Sequence, residues 1–92
     1  VYKRQQLDYD KIQFPITYRN YSEGDSFSPL GMRNQKKVSS YISDIKLNYI
    51  DKIHQLVLED NKNNIVWLVG QQISDKYKVD NYTKKILNLE II

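Results

Sequence analysis

The chain has 92 residues, a net charge of +3 and no cysteine. That length fits one small domain, and the lack of cysteine excludes a disulfide scaffold and any cysteine-ligated zinc or iron–sulfur site. No apolar run approaches the roughly 20 residues that cross a bilayer, so we expect a cytoplasmic protein without membrane contact. The 14 basic residues outnumber the 11 acidic ones, which favours an acidic partner, with nucleic acid the first to consider.

The start of the chain carries weak structural signals. The letters VYKRQ at positions 1–5 match the in-frame product of a common sequencing adapter, and residues 6–12 are mostly polar. A cloning or assembly scar and a natural basic linker both fit positions 1–5. We therefore expect residues 1–12 to be linker or scar and residues 13–92 to form the domain, with upstream domains of the same polypeptide preceding it.

From Phe14 the pattern becomes that of a strand. Phe14, Ile16 and Tyr18 are separated by single residues, which is the period of a half-buried strand. Pro15 has no amide proton to donate, so either this strand lies at the edge of a sheet or Pro15 is among its first residues. Residues 20–25 predict a turn, and residues 26–32 predict a short extended segment.

The strongest helical signal runs from Lys36 to Ile45. Its apolar residues lie at i, i+3, i+4 and i+7, and polar residues cover the other face. A weaker helical turn is predicted from Asn48 to His54, with Ile50 and Ile53 facing inward. The middle of the chain therefore predicts one main helix.

The second half of the chain predicts strands. Leu56–Leu58 and Ile65–Val69 are joined by a polar turn and form a hairpin, and the second of these strands should be central and buried on both faces. Further short strands are expected at Lys76–Val79 and Lys85–Ile92. Strands, one helix and then more strands predict the α+β class, with mostly antiparallel strands in two small sheets covered by the helix.

Groups suited to catalysis are sparse. His54 is the only histidine, and without a second ligand at metal-binding spacing it is best interpreted as a rim histidine. No serine lies in a nucleophile elbow, and no glycine-rich phosphate loop is present. Asp44, Asp51 and Asp75 include candidates for a carboxylate pair, but nothing in the sequence fixes their separation. We therefore expect no catalytic residue, no metal site and no cofactor within this chain.

Basic residues are grouped at the start of the helix, after it, and near the end of the chain. Such groups offer positive charge to phosphate oxygens, and the neighbouring Tyr77 and Tyr82 could stack on unpaired bases. The alternative, in which the lysines form a solvated face and the tyrosines fill the core, stays open. The candidate RNA-binding residues are Arg33, Lys36, Lys37, Lys46, Lys52, Lys76, Lys78, Lys84 and Lys85.

Several segments together resemble the C-terminal domain of the tRNA(Ile)-lysidine synthetases. The segment GDSFSPLGM at 24–32 is followed by KKVS at 36–39 and DIK at 44–46, as in that family. Farther on, IVWLVG at 65–70, DKYKV at 75–79 and TKKIL at 83–87 are similar to the family's later segments. The resemblance covers residues 14–90 in order. Asn48, Lys52 and Leu56 depart from it, because the family often has proline, arginine and proline there.

The resemblance implies a fold and a function. The fold is a layered β/β/α domain that also occurs in phenylalanyl-tRNA synthetase β chains. The family's whole enzyme joins lysine to the wobble cytidine of tRNA(Ile), using ATP with Mg at an SGGxDS loop that is absent from this chain. The resemblance therefore implies a domain that binds tRNA(Ile), toward its acceptor stem. A module that packs against its own upstream domains and touches RNA little is the alternative, and homodimerisation of the whole protein stays open.

Overall fold

The computed structural model describes residues 3–92, so the part of the predicted scar that falls on Val1 and Tyr2 lies outside the described residues. The strands are β1 Arg4–Asp8, β2 Thr17–Asn20, β3 Ser26–Phe27, β4 Lys36–Lys37, β5 Leu56–Glu59, β6 Ile65–Leu68, β7 Gln72–Ile73 and β8 Ile86–Glu90. The helices are α1 Val38–Asp44 and α2 Tyr49–Ile53, with short 3-10 helices at Tyr9–Lys11 and Asp75–Tyr77.

The largest sheet has four antiparallel strands in the order β2-β5-β6-β7. All four residues of β6 are buried, which confirms the predicted central strand and its hairpin with β5. β2 lies at an edge, as Pro15 predicted, although it begins two residues later, at Thr17. This sheet is the base on which the loops of the candidate site are placed.

Residues near the start of the chain form part of the fold. β1 pairs with β8 in a separate antiparallel sheet, and Leu7 and Ile12 are buried in the core with Trp67 and Tyr77. The prediction of a linker over residues 6–12 is therefore wrong. β1 has Leu7 as its one apolar residue, so the sequence of this strand shows no apolar alternation that would have predicted its pairing with β8. The origin of positions 1–5 stays a prediction.

The helical layer differs from the prediction in two ways. Lys36 and Lys37 form β4, paired with β3, so the main helix begins at Val38. Val38 and Ile42 do face the core, as predicted. The second helix was predicted to turn Ile50 and Ile53 inward. This is wrong, because the two side chains are 61% and 46% exposed. Its five residues are too short for periodicity to fix the buried face.

The segment from Lys76 to Val79 does not form the predicted strand. A 3-10 helix at Asp75–Tyr77 takes its place and directs the Tyr77 ring into the core. The predicted last strand is confirmed as β8, which pairs with β1. Within the described part of the chain, none of the helices has the length and apolar character needed to span a bilayer. The α+β class with antiparallel sheets and one main helix is confirmed.

Candidate nucleic-acid interface

Asp75 ties together two loops that carry predicted RNA-binding residues. Its carboxylate accepts a 2.9 Å hydrogen bond from the Gly31 N–H and lies 3.2 Å from the ammonium of Lys78. Its own N–H donates to the Ser28 carbonyl over 2.7 Å. The Gly31 N–H and Lys78, together with the charge of Arg33, hold the pKa of Asp75 below its ordinary 3.8. Lys78 and Arg33 therefore lie close to one carboxylate, and Lys76 follows that carboxylate in the chain.

β3 and β4 continue this surface. Ser26 and Phe27 pair with Lys37 and Lys36, and β3 leads directly into the segment that holds Asp75. Because successive side chains of a strand point to opposite faces, Lys36 and Lys37 have different surroundings. Lys36 forms an ion pair with Asp44 of α1, whereas Lys37 is exposed at the start of that helix.

We name this surface the Asp75 edge. It comprises five of the nine predicted residues, carried by the segments 28–37 and 75–78 that contact each other, with Lys36 and Lys37 on opposite faces of β4. Among residues 3–92, Lys36 and Lys78 are the two of the nine that form ion pairs. The members of the Asp75 edge are Arg33, Lys36, Lys37, Lys76 and Lys78.

Lys84 and Lys85 lie in a neighbouring loop that is held by a separate network. The Lys85 carbonyl accepts from the Tyr9 N–H at 3.0 Å, and its ammonium lies 5.5 Å from the centre of the Tyr9 ring. Thr83 donates from its hydroxyl to the Asp8 carboxylate over 2.8 Å. These contacts place both lysines beside the sheet formed by β1 and β8, adjacent to the Asp75 edge but not within it.

Lys46 and Lys52 lie at the other end of β6. Leu47 and His54 line a groove there together with Val69, which follows β6. The first residue of β6, Ile65, lies instead beside Lys76. Four residues of strand separate these two ends by about 13 Å. The structure therefore places the two lysines apart from the Asp75 edge, and His54 is exposed at the end of α2 as expected of a rim residue.

Asp25 and Glu59 would weaken a phosphate-binding surface if their charges were free. Arg19 donates two hydrogen bonds to the Asp25 carboxylate, at 2.9 and 3.0 Å, and a third to Glu59 at 3.3 Å. Arg19 holds the pKa of Asp25 below its ordinary value, while both partners raise the pKa of Arg19. This three-residue network offsets one of the two acidic charges close to β3 and leaves the other uncompensated.

Lys11 is a cation that the sequence did not single out. Its ammonium lies 2.8 Å from Asp80 and donates to the Lys78 carbonyl at 3.0 Å. Asp80 raises the pKa of Lys11 above its ordinary 10.5. Lys11 thereby joins the Asp75 edge to the loop of Lys84 and Lys85. No local pattern could have shown this, because the partners are 67 and 69 residues apart in sequence.

Comparison with known proteins identifies relatives over almost the whole chain. No protein-family model matches. The tRNA(Ile)-lysidine synthase of Parabacteroides distasonis is 43% identical over 81 residues, which are 88% of this chain and 18% of that protein. The synthase of Caldanaerobacter subterraneus is 41% identical, over 91% of this chain and 18% of its own length. The chain thus spans less than a fifth of the length of the curated relatives it matches.

Two solved structures share the fold. A crystal structure of the TILS C-terminal domain matches 98% of this chain and 72% of that chain, with a TM-score of 0.77 and 17% identity. An N-terminal fragment of the phenylalanyl-tRNA synthetase beta-subunit from Pyrococcus horikoshii matches 92% of this chain and 26% of that chain, with a TM-score of 0.77 and 22% identity. By sequence the chain is therefore a homologue of the tRNA(Ile)-lysidine synthases, and its fold is that of their C-terminal domain.

Proposed function

We propose that this domain binds tRNA(Ile) through the Asp75 edge, as part of an enzyme that attaches lysine to the wobble cytidine. The single observation that carries the proposal is the meeting of two loops at Asp75, which brings Arg33 and Lys78 close to one carboxylate. The relatives are named for that tRNA, which supports the choice of nucleic acid. In this proposal Lys46 and Lys52 are not part of the interface.

The chemistry of the Asp75 edge suits the backbone of an RNA duplex. Its five cations lie with two carboxylates, Asp75 and Asp44, which are already paired with Lys78 and Lys36. The other three cations form no ion pair among residues 3–92, so phosphate oxygens can approach them without first breaking one. Contacts of this kind fix the position of a duplex without reading its bases.

In this proposal the domain binds tRNA, and other parts of the enzyme carry out the ligation. Lysine ligation requires ATP with Mg and a reacting centre, which we assign to parts of the enzyme beyond this domain, in the cytoplasm. Binding one part of the tRNA here would hold the wobble base at that distant centre, because fixed geometry replaces a chance encounter. The domain would thereby contribute positioning rather than bond chemistry.

Salt dependence tests this proposal. We expect the chain to bind tRNA(Ile) weakly and the affinity to fall as salt rises, with a log–log slope of about −0.7 to −0.9 for each phosphate contacted. Fluorescence anisotropy with labelled tRNA, between 50 and 200 mM salt, measures the slope. Absence of binding at the lowest salt, or binding that does not respond to salt, would contradict the proposal.

One observation favours the second candidate, a domain that packs against other parts of its own polypeptide. Tyr49, Ile50 and Ile53 of α2 are 73%, 61% and 46% exposed, and Ile45 is exposed beside them. Grouped apolar side chains of this size are typical of a surface that contacts protein. The test is whether Ile50→Asp in the whole enzyme separates this domain from the other domains. If it does, and if this chain binds no tRNA, the packing role would replace tRNA binding as the proposed function.

A further inference from the structure

A polar cleft opens beside the Asp75 edge. It has a volume of about 270 Å³ and lies between the segment 24–28, the turn 63–65 and the segment 74–77. Phe27, Ile65 and Tyr77 form its buried floor, with exposures of 3%, 6% and 1%. The floor is therefore fixed by the core, and a ligand would meet a preformed surface.

The walls carry hydrogen-bonding groups that are free to bind. Ser26 donates from its hydroxyl to the Gln35 side-chain oxygen at 3.0 Å, which orients the Gln35 amide and leaves its NH₂ group without a partner among residues 3–92. Asn63 is an exposed residue that lines the same cleft, and its side chain also has no partner within the described chain. Lys76 adds one cation at the rim. The cleft therefore offers neutral donors and acceptors beside one cation, Lys76, and one carboxylate, Asp25, which is paired with Arg19.

The turn that carries Asn63 is held rigidly. The buried Asp60 carboxylate accepts from the N–H groups of Lys62 and Asn64, at 2.9 and 3.0 Å. Its second oxygen accepts from the Tyr77 hydroxyl at 2.8 Å. Asn63 has a φ of 64°, in the left-handed region that asparagine tolerates better than most residues. The backbone of Asn63 is thereby fixed, and its exposed side chain lines the same cleft as Gln35.

From this arrangement we infer that the cleft binds the ribose–phosphate backbone of RNA and recognises the ribose 2′-hydroxyl. The inference rests on the proposed function and adds a site to it. A 2′-hydroxyl both donates and accepts hydrogen bonds, as the side-chain amides of Gln35 and Asn63 do. The ammonium group of Lys76 can form an ion pair with the adjacent phosphate. DNA lacks the hydroxyl, so the cleft allows the domain to distinguish RNA from DNA.

The test compares three duplexes of one sequence: RNA, DNA, and RNA with 2′-O-methyl groups on both strands. The methylated duplex keeps the RNA helix shape but loses the hydroxyl donor, so it separates recognition of the hydroxyl from recognition of shape. We expect the 92-residue chain to bind RNA about tenfold more tightly than methylated RNA, the effect of one hydrogen bond of ordinary net strength.

Variants of the cleft complete the experiment. Gln35→Met with Asn63→Gly removes both amides, and glycine accepts the positive φ without strain. This pair should bind RNA and methylated RNA equally, with binding to DNA unchanged. Lys76→Met should instead weaken all three duplexes alike and reduce the salt slope by about one contact. Gln13→Met, at an exposed glutamine outside the cleft, is the matched control and should keep the full preference.

The outcomes separate the two claims. Equal binding of RNA and methylated RNA by the unaltered chain would overturn the inference and leave the proposed function standing. A preference that survives in the Gln35→Met, Asn63→Gly pair would also overturn the inference, because the hydroxyl would then be recognised elsewhere. Failure to bind any of the duplexes or tRNA would overturn the proposed function and the inference with it. Circular dichroism of each variant establishes that it is folded.

Discussion

The hydroxyl of Tyr77 donates a 2.8 Å hydrogen bond to the carboxylate of Asp60, 17 residues earlier in the chain. Both residues are buried, at 1% and 3% exposure. Burial raises the pKa of Tyr77, and Asp60 raises it further. Burial also opposes ionisation of Asp60, but backbone N–H groups and the Tyr77 hydroxyl outweigh it and hold its pKa below the ordinary 3.8. This contact joins the 3-10 helix of the Asp75 edge to the turn that follows β5.

Tyr77→Phe should destabilise the domain. The substitution keeps the ring in the core but leaves one buried carboxylate oxygen without its donor, which costs about 1–3 kcal/mol. Urea denaturation followed by circular dichroism measures the free energy of unfolding. Tyr82→Phe, at a ring that is 88% exposed, is the control and should change it by less than about 0.5 kcal/mol. Equal values for the two variants would show that the hydrogen bond does not stabilise the fold.

Leu7→Ala tests whether the first strand belongs to the domain. Leu7 is fully buried against Trp67 and Tyr77, so truncation should cost about 2–5 kcal/mol in the free energy of unfolding. Ile92→Ala is the control, because that side chain is fully exposed and should contribute almost nothing. A loss below about 1 kcal/mol for Leu7→Ala would mean that β1 is dispensable.

Acid should destabilise the domain through Asp25. Arg19 lowers the pKa of Asp25 in the folded state below its ordinary 3.8, although burial opposes this. As the pH falls through 3.8, the unfolded chain therefore takes up a proton that the folded chain does not, and the free energy of unfolding decreases. This contribution is complete above that pH and is lost as the pH falls through the lower, folded pKa.

Asp25→Asn should change both the stability of the domain at pH 7 and the loss of stability between pH 7 and pH 3. At pH 7 the variant should be less stable, because Arg19 retains only Glu59 as a charged partner. Between pH 7 and pH 3 it should lose less stability than the unaltered chain, because one titrating group is gone. Urea denaturation at the two pH values measures both effects. If the free energy of unfolding fell by the same amount between the two pH values in the variant and in the unaltered chain, Asp25 would be excluded as a source of acid sensitivity.

The sequence predicted those parts of the fold that depend on local pattern. The apolar run at Ile65–Val69 and the polar turn before it sufficed to predict the central strand and its hairpin, because burial on both faces requires such a run. Pro15 predicted an edge strand because proline has no amide proton to donate to a neighbouring strand. By contrast β1 depends on pairing with β8, some 80 residues away, and a five-residue helix such as α2 cannot fix its buried face by periodicity.

The candidate site was predictable in composition but not in arrangement. Lys76 and Lys84 were interpreted as one cluster because they are close in sequence. The turn between them, held by Asp80 and Thr83, directs the second group toward Asp8 and β1 instead. Gln35 and Asn63 gave no signal, because two uncharged amides become a site only when the fold brings them to one cleft.

Charge reversal at two places in the domain tests the central claim, which is that the Asp75 edge holds the tRNA. Lys37→Glu with Lys76→Glu is compared with Lys46→Glu with Lys52→Glu, in binding to tRNA(Ile) at 0.15 M salt. The Debye length there is about 8 Å, shorter than the roughly 13 Å of strand from Ile65 to Val69, so each pair reports on its own surroundings. A glutamate at position 37 suits the start of α1, so folding should be preserved. The account predicts at least about a tenfold loss for the first pair and less than about threefold for the second. Equal losses, or a larger loss for the second pair, would contradict it.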